Sequence, residues 1–112
     1  MKQSRKTLLI HEPLAARRRL YIRHITARGG RIAAALNEQY DAALVSLPEA
    51  PGPRANLIAV LQRLTASVPV VVLDSHSFNE TEFGGLPIRA HLERSATSLR
   101  EVVAHAMQLL SE

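Results

Sequence analysis

The sequence predicts a single α/β domain in which helices cover both faces of a parallel sheet. Two uninterrupted apolar runs, residues 42–45 and 68–73, are typical of strands that are buried on both faces. Segments with helical periodicity alternate with such runs, and this alternation builds a parallel sheet. Because 112 residues is the size of one ordinary domain, we expect residues 1–112 to form a single unit.

The composition excludes several classes of protein. The chain has no cysteine, which excludes disulfides, thiolate zinc sites and cysteine nucleophiles. Its amino-terminal apolar run covers only residues 8–10, too short for a signal peptide or a membrane span. We therefore expect a soluble cytoplasmic protein that makes no membrane contact.

The charge is distributed unevenly. Residues 1–31 contain nine Lys or Arg and one acid, Glu12, which gives +8, whereas residues 32–112 contain five basic and nine acidic residues, which gives −4. Such a dipolar chain can meet an acidic partner or the opposite end of a second copy.

The first half of the chain predicts three strands and one long helix. We expect strands at residues 6–10, 31–35 and 41–47, the second of them at a sheet edge. The helix spans residues 14–28, with Pro13 suited to its first turn and Gly29-Gly30 at its end. Residues 36–40 allow no more than one or two helical turns.

The second half predicts two further strands and two further helices. Three prolines in residues 48–53 predict a loop without regular structure. A helix then begins at Asn56, a suitable N-cap, and ends at residue 66. Strands follow at residues 68–73 and 88–93, and the second of them lies at a sheet edge. The polar residues 74–85 between them are compatible with a short helix. The last helix covers residues 96–110, and either Thr97 or Ser98 can cap it, with Glu101 completing a capping box from Ser98.

In this order of elements the chain resembles the response-regulator receiver domain over nearly its whole length. LLIHEPLAARRRL resembles the first strand, acidic pair and first helix of that family, and YDAALVSLP resembles the strand that ends at the phosphoacceptor Asp. VPVVVLDS is similar to the fourth strand, and AHLERSAT to the fifth strand with its invariant Lys. The resemblance implies a flavodoxin/CheY-like three-layer α/β/α fold, with a five-stranded parallel sheet of order 2-1-3-4-5.

The chain departs from this family at its phosphorylation site. Ser46 stands where the phosphoacceptor Asp would be, while His11 and Glu12 stand in the region of the acidic pair that binds magnesium. Receivers need several carboxylates around Mg²⁺ and an Asp that forms an acyl phosphate. A serine hydroxyl without an activating base is a poor nucleophile.

Two further positions of the resemblance are also altered. Asp74 replaces the switching Thr or Ser, although Ser75 lies beside it, and Arg94 replaces the Lys. These departures predict a pseudo-receiver that lacks phosphorelay chemistry. We expect no enzymatic activity, no catalytic residue, no metal and no cofactor.

The same residues allow two other chemistries. Ser46, Asp74 and either His11 or His76 could form a hydrolytic triad, but no glycine elbow surrounds the serine. The two histidines with Glu12 and Asp74 could ligate a metal, but two pairs in different loops give no local spacing signal. We favour polar side chains in a loop crevice over either site.

The arginines of the first helix could contact nucleic acid. They lack interleaved aromatic residues, a glycine-rich phosphate loop and a helix-turn-helix pattern. We therefore do not expect direct nucleic-acid binding by this domain, and we expect a homodimer or a protein partner instead. The interface candidates lie on the first and last helices: Arg19, Arg23, Glu101 and His105.

The predicted function is regulation through protein–protein contact. The resemblance suggests the amino-terminal module of a bacterial transcription regulator, similar to the flagellar master regulators of the enhancer-binding class. One alternative is the atypical receiver of a pilus-assembly or localisation ATPase. Another is a small-ligand sensor that binds a nucleotide at the carboxyl ends of the strands.

Overall fold

The computed structural model describes residues 6–33 and 39–112. Within these residues the chain forms strands and helices in the order β1 (Thr7–His11), α1 (Ala15–Ala27), β2 (Arg31–Ile32), β3 (Ala42–Ser46), α2 (Pro51–Ser67), β4 (Val70–Asp74), α3 (Glu80–Phe83), β5 (Ala90–Glu93) and α4 (Leu99–Ser111). A short 3₁₀ turn, Arg94–Ala96, joins β5 to α4. No helix of the described residues is long and apolar enough to cross a membrane.

The five strands form one parallel sheet in the order β2-β1-β3-β4-β5, which confirms the predicted fold class and strand order. β3 is the middle strand, and all five of its residues are buried. β4 is an interior strand that is likewise buried throughout. β5 lies at the edge of the sheet, as its alternating sequence predicts.

The core consists of two layers because successive residues of β3 and β4 point to opposite faces of the sheet. On one face α1 and α4 cover the sheet, and their buried side chains pack on Ala42, Leu44, Val71 and Leu73. On the other face α2 and α3 pack on Ala43, Val45, Val70 and Val72. The first and last helices therefore share one face of the sheet.

Helix α1 ends where the paired glycines predict. Gly29 has a φ of 88°, a left-handed conformation that glycine adopts without strain. Its N–H donates to the Thr26 carbonyl, and the Gly30 N–H donates to the Ile25 carbonyl, each at 3.0 Å. The chain then enters β2, of which residues 31–32 pair with β1. Predictions for residues 34–38 lie outside the described residues.

The loop prediction for residues 48–53 is wrong in its second half. Helix α2 begins at Pro51, so Pro51 and Pro53 lie in its first turn, and the Ala50 carbonyl accepts the Arg54 N–H at 2.9 Å. The N–H groups of a first turn have no partner within the helix, so prolines cost no hydrogen bond there. Asn56 is consequently an internal residue of α2 and not its N-cap.

The elements after β4 agree more closely with the sequence. Residues 74–85 do contain a short helix, α3, whose Asn79 side chain accepts the Thr81 N–H at 3.0 Å. Helix α4 starts after Ser98, and both hydrogen bonds of the predicted capping box with Glu101 are present. Strands β4 and β5 each begin two residues later than predicted, at Val70 and Ala90.

Candidate functional site

The carboxyl ends of β1, β3 and β4 meet along one edge of the sheet. The register pairs His11 with Val45 and Ser46 with Leu73. Since the strands are parallel, this register brings Ser46, Asp74 and the residue after β1, Glu12, to the same edge. Their polar side chains form two hydrogen-bonded groups there, one around Glu12 and one around Asp74.

The first group joins Glu12 to Ser46. The Ser46 hydroxyl donates to Glu12 Oε1 at 2.6 Å, and both residues are buried. Arg17 lies 3.5 Å from the same oxygen, while Glu12 Oε2 accepts the backbone N–H of Leu14 at 3.0 Å. Both oxygens of Glu12 are therefore used within the chain.

The second group is centred on Asp74, which has no exposed surface. Arg54 donates to both of its oxygens, each at 2.7 Å, in the two-pronged geometry that a guanidinium and a carboxylate favour. The same arginine also donates to Glu82 of α3, at 2.6 and 2.8 Å, and to the Pro48 carbonyl at 3.4 Å. Arg54 thus ties the start of α2 to the end of β4 and to α3.

These contacts shift the pKa values of all three side chains. Burial alone would raise the pKa of Asp74, but hydrogen bonds from Arg54, His91 and the His76 backbone amide lower it to about 2. Hydrogen bonds to Glu82 and Asp74 raise the pKa of Arg54, and the bond from Arg54 lowers the pKa of Glu82. The group therefore remains ionised over the physiological range of pH.

His91 of β5 completes the group around Asp74. Its Nε2 lies 2.9 Å from Asp74 Oδ2, and its side chain is 6% exposed. The ring packs edge-on against Phe78 and Phe83, with centroid separations of 5.4 Å. Phe78 is half exposed and stacks on Phe83, so aromatic rings shield this side of Asp74 from water.

The remaining predicted site residues lie beside these two groups. His11 and His76 are exposed, and His76 reaches Asp74 only through its backbone N–H, at 3.3 Å. Ser75 Oγ is buried without a hydrogen-bond partner among the described residues. Arg94 donates from Nη2 to the Leu47 carbonyl at 3.2 Å.

The structure does not assemble the alternative hydrolytic triad. Ser46 donates to Glu12, whereas the imidazole that contacts Asp74 belongs to His91. The serine, the aspartate and a predicted histidine thus lack the chain of hydrogen bonds that a triad requires. In the part of the chain that is described, no group of three or more His, Asp or Glu side chains is placed to hold a metal ion.

Sequence reasoning missed Arg54, Glu82 and His91. A signal for Arg54 existed: it precedes Ile58 by four residues and Leu61 by seven, so it occupies the buried face of α2. An arginine at a buried helical position needs a carboxylate partner. No local pattern indicates that Asp74 and Glu82 supply it.

The predicted interface residues lie on α1 and α4. Arg19 and Arg23 are exposed, and neither forms an ion pair with another described residue. Glu101 is exposed but serves the cap of its own helix, and His105 is half-buried. Glu101, the one acid within α4, therefore does not neutralise Arg19 or Arg23 within one copy.

The comparisons with known proteins support the fold. No protein-family profile and no curated protein sequence matches the chain. Among solved structures, a CheY-like response regulator receiver domain protein from Methanospirillum hungatei JF-1 is similar with a TM-score of 0.75 and 14% identity, covering 96% of this chain and 95% of that chain. The chain has the fold of response-regulator receiver domains.

Two further structures share this fold. An orphan response regulator of H. pylori is similar with a TM-score of 0.69 and 14% identity, covering 94% of this chain and 96% of that one. A putative pilus assembly-related protein from Burkholderia pseudomallei K96243 is similar with a TM-score of 0.65 and 12% identity, covering 99% of this chain and 93% of that one.

Proposed function

We propose that this chain is a pseudo-receiver, a receiver-like regulatory domain that is not phosphorylated and acts through protein–protein contact. One observation carries the proposal: β3 ends in Ser46, whose hydroxyl donates to the buried Glu12 carboxylate at 2.6 Å. Transfer of a phosphoryl group to form an acyl phosphate requires a carboxylate nucleophile. At this position the chain has a hydroxyl instead, and that hydroxyl already donates a hydrogen bond to Glu12.

The hydrogen bonding of the acidic residues supports the same proposal. Both oxygens of Glu12 accept hydrogen bonds from the chain, and both oxygens of Asp74 are bound by Arg54. A magnesium ion would have to compete with these contacts for oxygen ligands. In the proposed function the two groups hold the strand ends and helices in one arrangement.

In this proposal the domain works in the cytoplasm as a module of a bacterial transcription regulator, of the kind that includes the flagellar master regulators. The receiver fold, shared with an orphan response regulator, supports a regulatory role. Self-association or a protein partner would use α1, whose exposed arginines have no ion-pair partner among the described residues.

A second candidate is an atypical receiver attached to a pilus-assembly ATPase. The observation that favours it is the fold shared with the putative pilus assembly-related protein. Other domains encoded in the same polypeptide would distinguish the two candidates. An AAA+ and helix-turn-helix region in the same polypeptide supports the first, and a ParA-like ATPase supports the second.

The proposed lack of phosphorylation is tested with acetyl phosphate and with beryllofluoride in the presence of Mg²⁺. Intact mass should show no phosphoryl adduct, and the amide NMR signals around Ser46 should not shift. A phosphorylatable receiver serves as the positive control under the same conditions. A stable adduct, or beryllofluoride shifts centred on Ser46, would overturn the proposal.

A further inference from the structure

A small cavity of about 260 Å³ lies between α1 and the segment that joins β5 to α4. Its polar lining residues are Arg17, Tyr21, Arg94 and Thr97. Leu20 and Leu99 form part of its apolar wall. Two cationic side chains therefore face one small cavity. The residues come from opposite ends of the sequence, and α1 and the start of α4 bring them together.

The guanidinium of Arg94 has few partners among the described residues. Among the described residues it forms no ion pair, and its only hydrogen bond runs from Nη2 to the Leu47 carbonyl. Its Nε is buried and has no partner in the same part of the chain. A buried N–H that lacks an acceptor is unfavourable, and an anion beside the guanidinium would supply an acceptor.

The other two polar groups are suited to the same anion. Arg17 is one-third exposed, and its contact with Glu12 is long, at 3.5 Å, so its remaining donors are available. Burial and Glu12 raise the pKa of the Tyr21 phenol, while Arg17 and Arg94 act in the opposite direction, which places both cations near the ring. The phenol stays neutral and can donate a hydrogen bond.

We propose that this cavity binds a small oxyanion, a phosphate or the carboxylate of a small organic acid, between Arg17 and Arg94. A guanidinium is a planar fork that matches the oxygens of either group. The volume is below that of ordinary pockets for drug-sized ligands, which favours a small anion over a nucleotide. The leucines provide space for a short apolar substituent.

The test is an NMR titration of the ¹⁵N-labelled chain at constant ionic strength with inorganic phosphate, acetate and butyrate, against chloride. We expect saturable shifts of the Arg17, Tyr21 and Thr97 amides and of the Arg94 Nε–H. Arg94→Gln should weaken binding by about tenfold or more, as loss of a hydrogen bond to a charged group implies. Arg19→Gln removes the same charge from an exposed site on α1 and should change the affinity by less than about twofold.

Other outcomes would overturn the proposal. Shifts that never saturate, that centre on the exposed arginines of α1, or that are equal in Arg94→Gln and Arg19→Gln would show general ionic screening. Binding of an aspartate-rich peptide without binding of small anions would assign the cavity to an acidic protein partner. If Arg94→Gln does not fold, Tyr21→Phe, which keeps the ring and removes the hydroxyl, should weaken binding several-fold, and an unchanged affinity would contradict the site.

Discussion

Arg54 and Asp74 are joined by two parallel hydrogen bonds of 2.7 Å, one from each terminal nitrogen of the guanidinium to each carboxylate oxygen. Asp74 has no exposed surface, and Arg54 is 6% exposed. Water therefore screens the electrostatic attraction between the two side chains only weakly. Glu82 adds a second carboxylate on the outer side, so the arginine links α2, β4 and α3 through charge-assisted bonds.

Arg54→Met should destabilise the domain by about 3–5 kcal/mol, because it leaves the buried Asp74 carboxylate without its cation. The control is Arg63→Met, which removes an exposed arginine from the same helix and should change the free energy of unfolding by less than about 0.5 kcal/mol. Urea unfolding measures both. Equal stabilities of the two variants would contradict the structural role of the pair.

Acid should remove the contribution of Asp74 to stability. Its pKa is about 2 in the folded chain and near 3.8 as a free side chain, so the folded state binds the proton more weakly. The contribution, roughly 2 kcal/mol, is complete above pH 3.8 and is lost as the pH falls through about 2. The free energy of unfolding, measured between pH 5 and 2, should fall less steeply in Asp74→Asn, and an equally steep fall would contradict this assignment.

Ser46→Ala should destabilise the domain by about 1–3 kcal/mol, because the buried Glu12 carboxylate loses a donor at 2.6 Å. Ser46→Asp should cost more, since it places a second carboxylate against Glu12 in a buried site. Adding Glu12→Gln to Ser46→Asp should restore part of the loss. A Ser46→Asp variant as stable as the wild type at pH 7 would mean that the two side chains do not meet.

Self-association is expected to use α1. Arg19 and Arg23 are exposed beside Leu20, which is 40% exposed. Exposed ion pairs contribute only about 0–1 kcal/mol and are screened by salt, so the apolar surface must supply most of the affinity. Arg19→Glu/Arg23→Glu should weaken the dimer more at low salt than at high salt in sedimentation velocity.

The control for that experiment compares two single charge reversals. Arg23→Glu should weaken the dimer, whereas Arg63→Glu, on the opposite face of the sheet, should not. A wild type that stays monomeric at high concentration would exclude self-association. A dimer that is indifferent to both salt and mutation would place the interface away from α1.

Local sequence was sufficient for the buried middle strand and for the cap of the last helix. The apolar run at residues 42–45 is buried at every position. In a strand, four consecutive apolar side chains are all hidden from water only when both faces of the sheet are covered. The capping box of α4 joins Ser98 and Glu101, three residues apart, so its geometry is encoded within one helical turn. Such elements are determined by residues that lie close together in the sequence.

Only the tertiary structure decided where α2 begins and what Arg54 does. Pro51 and Pro53 are compatible with both a loop and a first helical turn, and the choice places Arg54 against carboxylates 20 and 28 residues further along the chain. The Ser46–Glu12 bond likewise spans 34 residues. These polar contacts form because packing removes the groups from water, where each must find a partner, and no local pattern states which partner will be within reach.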